Sequence, residues 1–274
     1  MAAQHRTRAA PIATGNGGVD PQACYVYGIV PAGTPLPDRL QGVTDPSVPV
    51  ELVGRGRVAA VVSTVPADRP LGTAADLRAH ADVLDTLAAA RNAVLPMRFG
   101  AVLRDTETVT EDLLDPYEEE FHDALQEIEG HAQFTVRCDY REDELLREIL
   151  VDREDIARLR DDIAALSEEA GRYHRIRLGE LVAGEVAARR DEDAAVLADC
   201  LAPHAAAIAP AEPGVAEQGF SAAFLVRDGA RTEFEQAAEG LARRWAGRLR
   251  VRLLGPIAPY DFAARIAGTA EGDG

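Results

Sequence analysis

From Glu142 the chain keeps helix-compatible patterning for roughly sixty residues, and nothing else in the sequence limits the fold as tightly. Ile149, Ile156, Leu159, Ile163 and Leu166 fall on three- and four-residue steps or multiples of them, the seam of a helix packed against one partner. At ~1.5 Å per residue, one straight helix of that length would run about 90 Å, too far for the chain to return to a sheet. A helical hairpin over about 142–208 is therefore expected, turning near Gly171 or among Gly179 and Gly184.

Strand candidates bracket this tract. Phe134 to Cys138 precedes it; Pro210 and Pro213 end it, and Phe220 to Val226 follows, closed by Asp228-Gly229. Thr232 and Glu235 have capping-box spacing ahead of the stripe Phe234, Ala238, Leu241 and Trp245, with Gly247 as a stop. Leu249, Val251 and Leu253 alternate with Arg248, Arg250 and Arg252, a strand with one wet face. This order is ferredoxin-like with an enlarged first helical crossover, and it predicts that 134–139, 220–226 and 248–254 share one antiparallel sheet.

Upstream, Cys24 to Val30 reads as a buried strand, and Val50 to Val53 with Val58 to Ser63 as a hairpin across Gly54-Arg55-Gly56. Thr73 and Asp76 form a capping box for a helix over about 74–91, whose inner face is Leu77, Ala81, Leu84 and Ala88. Val94 to Leu103 is strand-like, with Pro96 placing it at an edge or a bulge. Asp115, Pro116 and Glu118 then set a cap, an N1 proline and an N3 acid for a helix carrying Phe121, Leu125 and Ile128 and ending at Gly130. The fold class is α+β, in two units: 21–131, and 132–266 with the ferredoxin-like order and the inserted hairpin. The length of 274 residues suits two modest units. A disordered leader over 1–20 and a tail over 267–274 are expected to flank them.

Charge and composition remove whole classes of function. With 29 basic and 46 acidic residues the net charge is −17, which repels phosphate backbones, so no nucleic-acid partner is expected. Every basic residue is arginine, which excludes Schiff-base enzymes, P-loop nucleotidases and ordinary protein kinases. No stretch approaches the ~18 apolar residues of a membrane span. Cys24, Cys138 and Cys200 are isolated, without zinc spacing, as in a reducing cytoplasm. No apolar h-region precedes residue 20, so no signal peptide is read.

The candidate chemistry is sparse. Gly54-Arg55-Gly56 is followed by a strand, whereas a dinucleotide fingerprint needs a helix there. None of Ser47, Ser63, Ser167 and Ser221 lies in Gly-x-Ser-x-Gly. Glu119 and His122 have di-iron spacing, but the motif occurs once in an acid-rich helix. No metal and no cofactor are expected. His80 lies on or beside a buried helix face and reads as a hydrogen-bonded structural histidine. Charge is segregated: residues 105–129 hold eleven acids, Glu118 and Glu119 among them, and no arginine, whereas 243–252 hold five arginines, including Arg248, Arg250 and Arg252, and no acid. Two readings stand: solvated faces, or patches that dock a charged partner.

Two segments remain, Val94-Leu95-Pro96-Met97-Arg98-Phe99-Gly100 and Leu253-Leu254-Gly255-Pro256-Ile257-Ala258-Pro259-Tyr260-Asp261-Phe262. With Tyr25-Val26-Tyr27-Gly28-Ile29-Val30 and His80, they closely resemble the gas vesicle protein F/L family over roughly 24–263. The sequence departs from the family where Ile257 and Ala258 replace a Trp-Pro pair. The resemblance implies a non-catalytic, cytoplasmic, vesicle-associated accessory protein required for assembly. It also implies partners among the vesicle proteins, above all the hydrophobic major shell protein, whose premature aggregation it limits. Arg98, Phe99, Tyr260, Asp261 and Phe262 join the charged patches as candidate partner-binding residues. Arg98 points opposite to Met97 and Phe99, toward an internal acid such as Asp261 or toward a partner's carboxylate. The competing reading is an enzyme that uses His80 and Arg98 on a small anionic substrate.

Overall fold

The computed structural model describes residues 22–38, 40–44, 47–210 and 219–263; the expected leader 1–20 and tail 267–274 lie outside the described residues. Strand β1 (Gln22–Pro31) is central to the first sheet, antiparallel to β3 (Val58–Pro66), which pairs with β2 (Val50–Arg55) in the expected hairpin. It is buried on both faces from Ala23 to Val30. Ala23, Tyr25 and Tyr27 enter one core and Cys24 and Val26 the other; a register shift between Val26 and Gly28 then flips the alternation, so that Val30 rejoins the first set and Ile29 the second.

The strand expected over Val94 to Leu103 is instead two short pieces, β4 (Leu95–Pro96) and β5 (Val102–Leu103), both on β1. Pro96 has no N–H for a ladder, and the Met97–Ala101 turn loops out between the two pieces. Helix α1 (Ala74–Ala89) covers one face, opened by the expected Thr73–Asp76 capping box. The other face is covered by α2 (Thr106–Thr108), a π-helical turn (Val109–Leu114) and α3 (Asp115–Ile128). The helix therefore starts at Thr106, capped by Asp105 accepting the Thr108 N–H at 2.7 Å, and Asp115 is not its cap. Pro116 cannot donate to the helical ladder, and the chain kinks beside it at Tyr117 (φ −120, ψ 18).

The second sheet has the order β7-β8-β6-β9, from β6 (His131–Tyr140), β7 (Ala207–Pro210), β8 (Gly219–Arg227) and β9 (Leu249–Ile257). The three segments expected to share a sheet do so, and β7 is an additional edge strand. One face is covered by α4 (Glu142–Asp152), α5 (Glu154–Ala164), α6 (Arg172–Leu201) and α7 (Arg231–Arg244) around Phe134, Phe224 and Phe234. The helical tract does fold back, with its turn between α5 and α6 and Gly171 at the α6 N-cap; Gly179 and Gly184 lie inside α6. Its first arm is broken at Arg153 (φ −119, ψ 86). Ile149 and Ile156 are buried, but Leu166 at the tip is exposed. Thr232 forms no capping box, because the helix already begins at Arg231, which pairs with Asp228 at 2.5 Å.

Candidate functional site

Both signature segments are anchored on α1. Tyr25 and Tyr27, two apart on β1, point to the same face with ring centroids 4.9 Å apart. His80 enters from α1, stacked on Tyr27 (5.8 Å) and edge-on to Phe99 (5.6 Å). Its Nδ1 lies 2.9 Å from the Tyr25 hydroxyl, and its other side meets the Met97 carbonyl. That carbonyl requires a ring N–H, so Nδ1 accepts from Tyr25, whose oxygen accepts the Gly100 N–H at 3.2 Å. Met97 N–H donates to the Tyr27 carbonyl (2.9 Å) and Ala101 N–H to that of Arg98 (3.2 Å). The turn is thus held from beneath by Tyr25, Tyr27 and His80. Burial keeps the imidazole below the usual histidine pKa, hence neutral.

Arg98 sits on this turn, exposed, with no ion pair among the described residues. The internal partner expected for it, Asp261, is engaged elsewhere: its N–H donates to Gln133 Oε1 at 3.0 Å, and its carboxylate accepts from Gln133 Nε2. Gln133 is buried on β6. A second anchor comes from α1, where Asp85 accepts the Ala258 N–H at 3.0 Å; burial raises the Asp85 pKa. Tyr260 packs against the α1-side core of the first sheet, Ala263 joins that sheet's other core, and Phe262 covers Ala209, Ala223 and Leu225 of the second. The segment 258–263 therefore ties the sheets together. Ala258 is fully buried.

The charged candidates divide. Arg248 is committed internally: it makes a paired contact to Asp193 at 2.7 and 2.7 Å, and its guanidinium lies 5.9 Å over Trp245. Asp193 also accepts from Tyr140 at 2.5 Å; burial first, and the Asp193 bond second, push that hydroxyl's pKa up. Arg252 pairs with Asp139 at 2.5 Å, and Arg250 is exposed without a carboxylate partner among the described residues. Glu118 clamps the β2–β3 turn by accepting the Arg57 N–H at 3.0 Å, and Asp115 pairs with Arg55. Gly56 sits at φ +53, which glycine adopts without strain, and a Cβ there would push against the flexible carboxylate end of Glu118. Glu119 is exposed. None of these long-range pairs has a local signature: Gln133 and Asp261 lie 128 residues apart, and nothing in the spacing of either announces the other.

His80 is buried beneath the turn, held against Tyr25 with its imidazole neutral, whereas Arg98 is exposed on the turn itself. Among the described residues no group of three or more His, Cys, Asp or Glu side chains could hold a metal ion. Burial raises the thiol pKa of Cys24 to about 11 and of Cys138 to about 12, leaving both unreactive. No helix among the described residues is long and apolar enough to cross a membrane.

These features define the class: an α+β protein of two antiparallel sheets, whose two signature segments form a joint on one helix and do not line a cleft of reactive groups. The chain belongs to the gas vesicle synthesis protein GvpL/GvpF family, whose sequence profile it matches over residues 23–264. It is 34% identical over 242 residues to the gas vesicle protein F of a Streptomyces species, covering 87% of this chain and 98% of that one. It is 26% identical to gas vesicle protein F of Dolichospermum flosaquae, covering 87% and 96%. The crystal structure of GvpF from an Anabaena species superposes with a TM-score of 0.72 at 28% identity, over 88% of this chain and 98% of that one. GvpF from Microcystis aeruginosa gives 0.70 at 27%, with the same coverage. These relatives are named as gas vesicle proteins and not as enzymes, so a gas-vesicle-related role and association with vesicle components follow for the family.

Proposed function

We propose that this chain is a non-catalytic accessory protein of gas vesicle assembly that binds the major hydrophobic shell protein and limits its aggregation before it enters the growing vesicle. The observation that carries this reading is the family match over 23–264. The burial of His80 beneath the turn, with Arg98 exposed on its outside, supports it, because the competing enzyme needs both groups to reach one substrate. An acidic body of net charge −17 suits a protein that keeps an aggregation-prone subunit in solution. The same reading treats 21–131 and 132–266 as two units, the second ferredoxin-like, acting as one body through the 258–263 joint.

Of the candidate contacts, Arg98, Arg250 and Glu119 face solvent, whereas Arg248, Asp261 and Phe262 are engaged within the protein. Arg98 on its braced turn is a preorganised fork-shaped donor for a carboxylate of the shell protein. Tagged protein should capture the shell protein from vesicle-forming cells, and deletion should abolish or strongly reduce vesicles. Arg98→Ala should weaken capture while leaving the melting temperature unchanged. Normal vesicles in a clean deletion would refute the role.

A further inference from the structure

Among the described residues β9 pairs only with β6, so it is the outer strand of the second sheet. Its end is closed: a register shift opposite Gln133 and Thr135 interrupts the ladder, and the Asp85 contact to Ala258 follows. Among the described residues no strand pairs with the outer edge of Leu249–Leu254, and Arg250, Arg252, Leu253 and Leu254 are exposed. In an antiparallel ladder, alternate residues point both N–H and C=O outward, and such a row is a template for another strand. About six residues is an ordinary strand length.

The side chains along this edge are selective. Register sets Arg250 opposite Asp139, Arg252 opposite Arg137 and Leu254 opposite Thr135, so these six share the face away from the helices. Arg252 is held by Asp139, while Arg137 and Arg250 have no carboxylate partner among the described residues. Three guanidiniums against one carboxylate make this face positive on a chain of net charge −17. Arg137 and Arg252, directly opposite, repel each other, and an incoming carboxylate would relieve that repulsion. Arginines alone also guard edges against aggregation. A guarded edge does not, however, expose neighbouring leucines on both faces, as Leu253 (36% exposed) and Leu254 (46%) do here.

We propose that Leu249–Leu254 is a strand-addition site for an extended protein segment with carboxylates at alternate positions facing Arg250 and Arg252, and apolar side chains between them. The site goes beyond the assembly role and does not require the shell protein to be its occupant. The probe is a capped peptide of alternating glutamate and valine, about eight residues long, added to the full chain and followed by hydrogen exchange and fluorescence anisotropy. Exchange at 249–254 should slow. A lysine-for-glutamate peptide should give no protection, and a backbone N-methylated peptide, which cannot complete the ladder, should bind at least about tenfold more weakly. Arg250→Gln, which removes the charge without setting a second carboxylate opposite Asp139, should weaken binding by about tenfold or more with the melting temperature unchanged. The proposal is overturned if 249–254 stays unprotected at saturating peptide, if the N-methylated peptide binds equally well, or if protection falls only on the β2 edge. Protection that grows with the concentration of the chain alone would assign the edge to a second copy, and would overturn it too.

Discussion

Replacing His80 with alanine tests whether the first signature segment is held from beneath. The substitution strips the Tyr25 hydroxyl and the Met97 carbonyl of their partner and removes a ring that contacts Tyr25, Tyr27 and Phe99. A buried polar group left unpaired costs ~1–3 kcal/mol, and each aromatic contact contributes ~0.5–1.5 kcal/mol. Water entering the vacated space recovers part of this, so a net loss of about 3 kcal/mol is expected. At roughly 2–4 °C per kcal/mol for a chain of this size, the melting temperature should fall by roughly 6–12 °C. The loss should depend on pH. Burial depresses the folded-state pKa of His80, so the unfolded chain takes up the proton first. Wild-type stability from this group is then fully present above about pH 6.5 and falls as pH drops below it. The gap between wild type and His80→Ala should therefore narrow on acidification. Thermal unfolding followed by circular dichroism on both sides of that pH, with hydrogen exchange at the Gly100 amide, measures both effects. A melting temperature within about 1 °C of wild type, with unchanged Gly100 exchange, would refute the bracing argument. Lost vesicle formation at unchanged stability would instead give His80 a direct functional part.

Three further outcomes follow from the geometry. Arg248→Met should destabilise by about 3–5 kcal/mol by stranding the buried Asp193 carboxylate; adding Asp193→Asn should recover much of the loss in urea titrations, and strict additivity would count against the pairing. Gly255→Ala, at φ +141 with a Cβ 2.7 Å from Phe134 Cδ1 and 2.8 Å from the Gln133 carbonyl oxygen, should cost about 3 kcal/mol or prevent folding. Gly56→Ala should cost less, about 1–2 kcal/mol, since only the flexible Glu118 end must move; the reverse ranking in thermal melts would contradict these contacts.

What could be read from the sequence was what neighbours along the chain decide. The β2–β3 hairpin, the Thr73–Asp76 cap and the strands 134–139, 220–226 and 248–254 rest on periodicity and on turn or capping residues within a few positions. The need for the helical tract to fold back follows from length alone. Where a local rule had a competitor, it failed: Asp115-Pro116 looks like a helix start, yet Asp105 caps first, and the chain runs through Pro116 with a kink because both faces of β1 need covering. Thr232 lost its capping role to a helix already begun one residue earlier.

Tertiary structure alone decided which side chains are available. Arg248, Arg250 and Arg252 are one alternating row in sequence. Asp193 from α6 and Asp139 from β6 claim two of them, leaving Arg250 to solvent. Arg98 and Asp261 are a plausible pair on paper, but Gln133, held 128 residues away in sequence, takes the carboxylate. Hydrophobic period and capping chemistry act over one or two turns, so one chain displays them in full. Pairing between distant groups depends on which faces the sheets bring together, and that is settled only when the cores close.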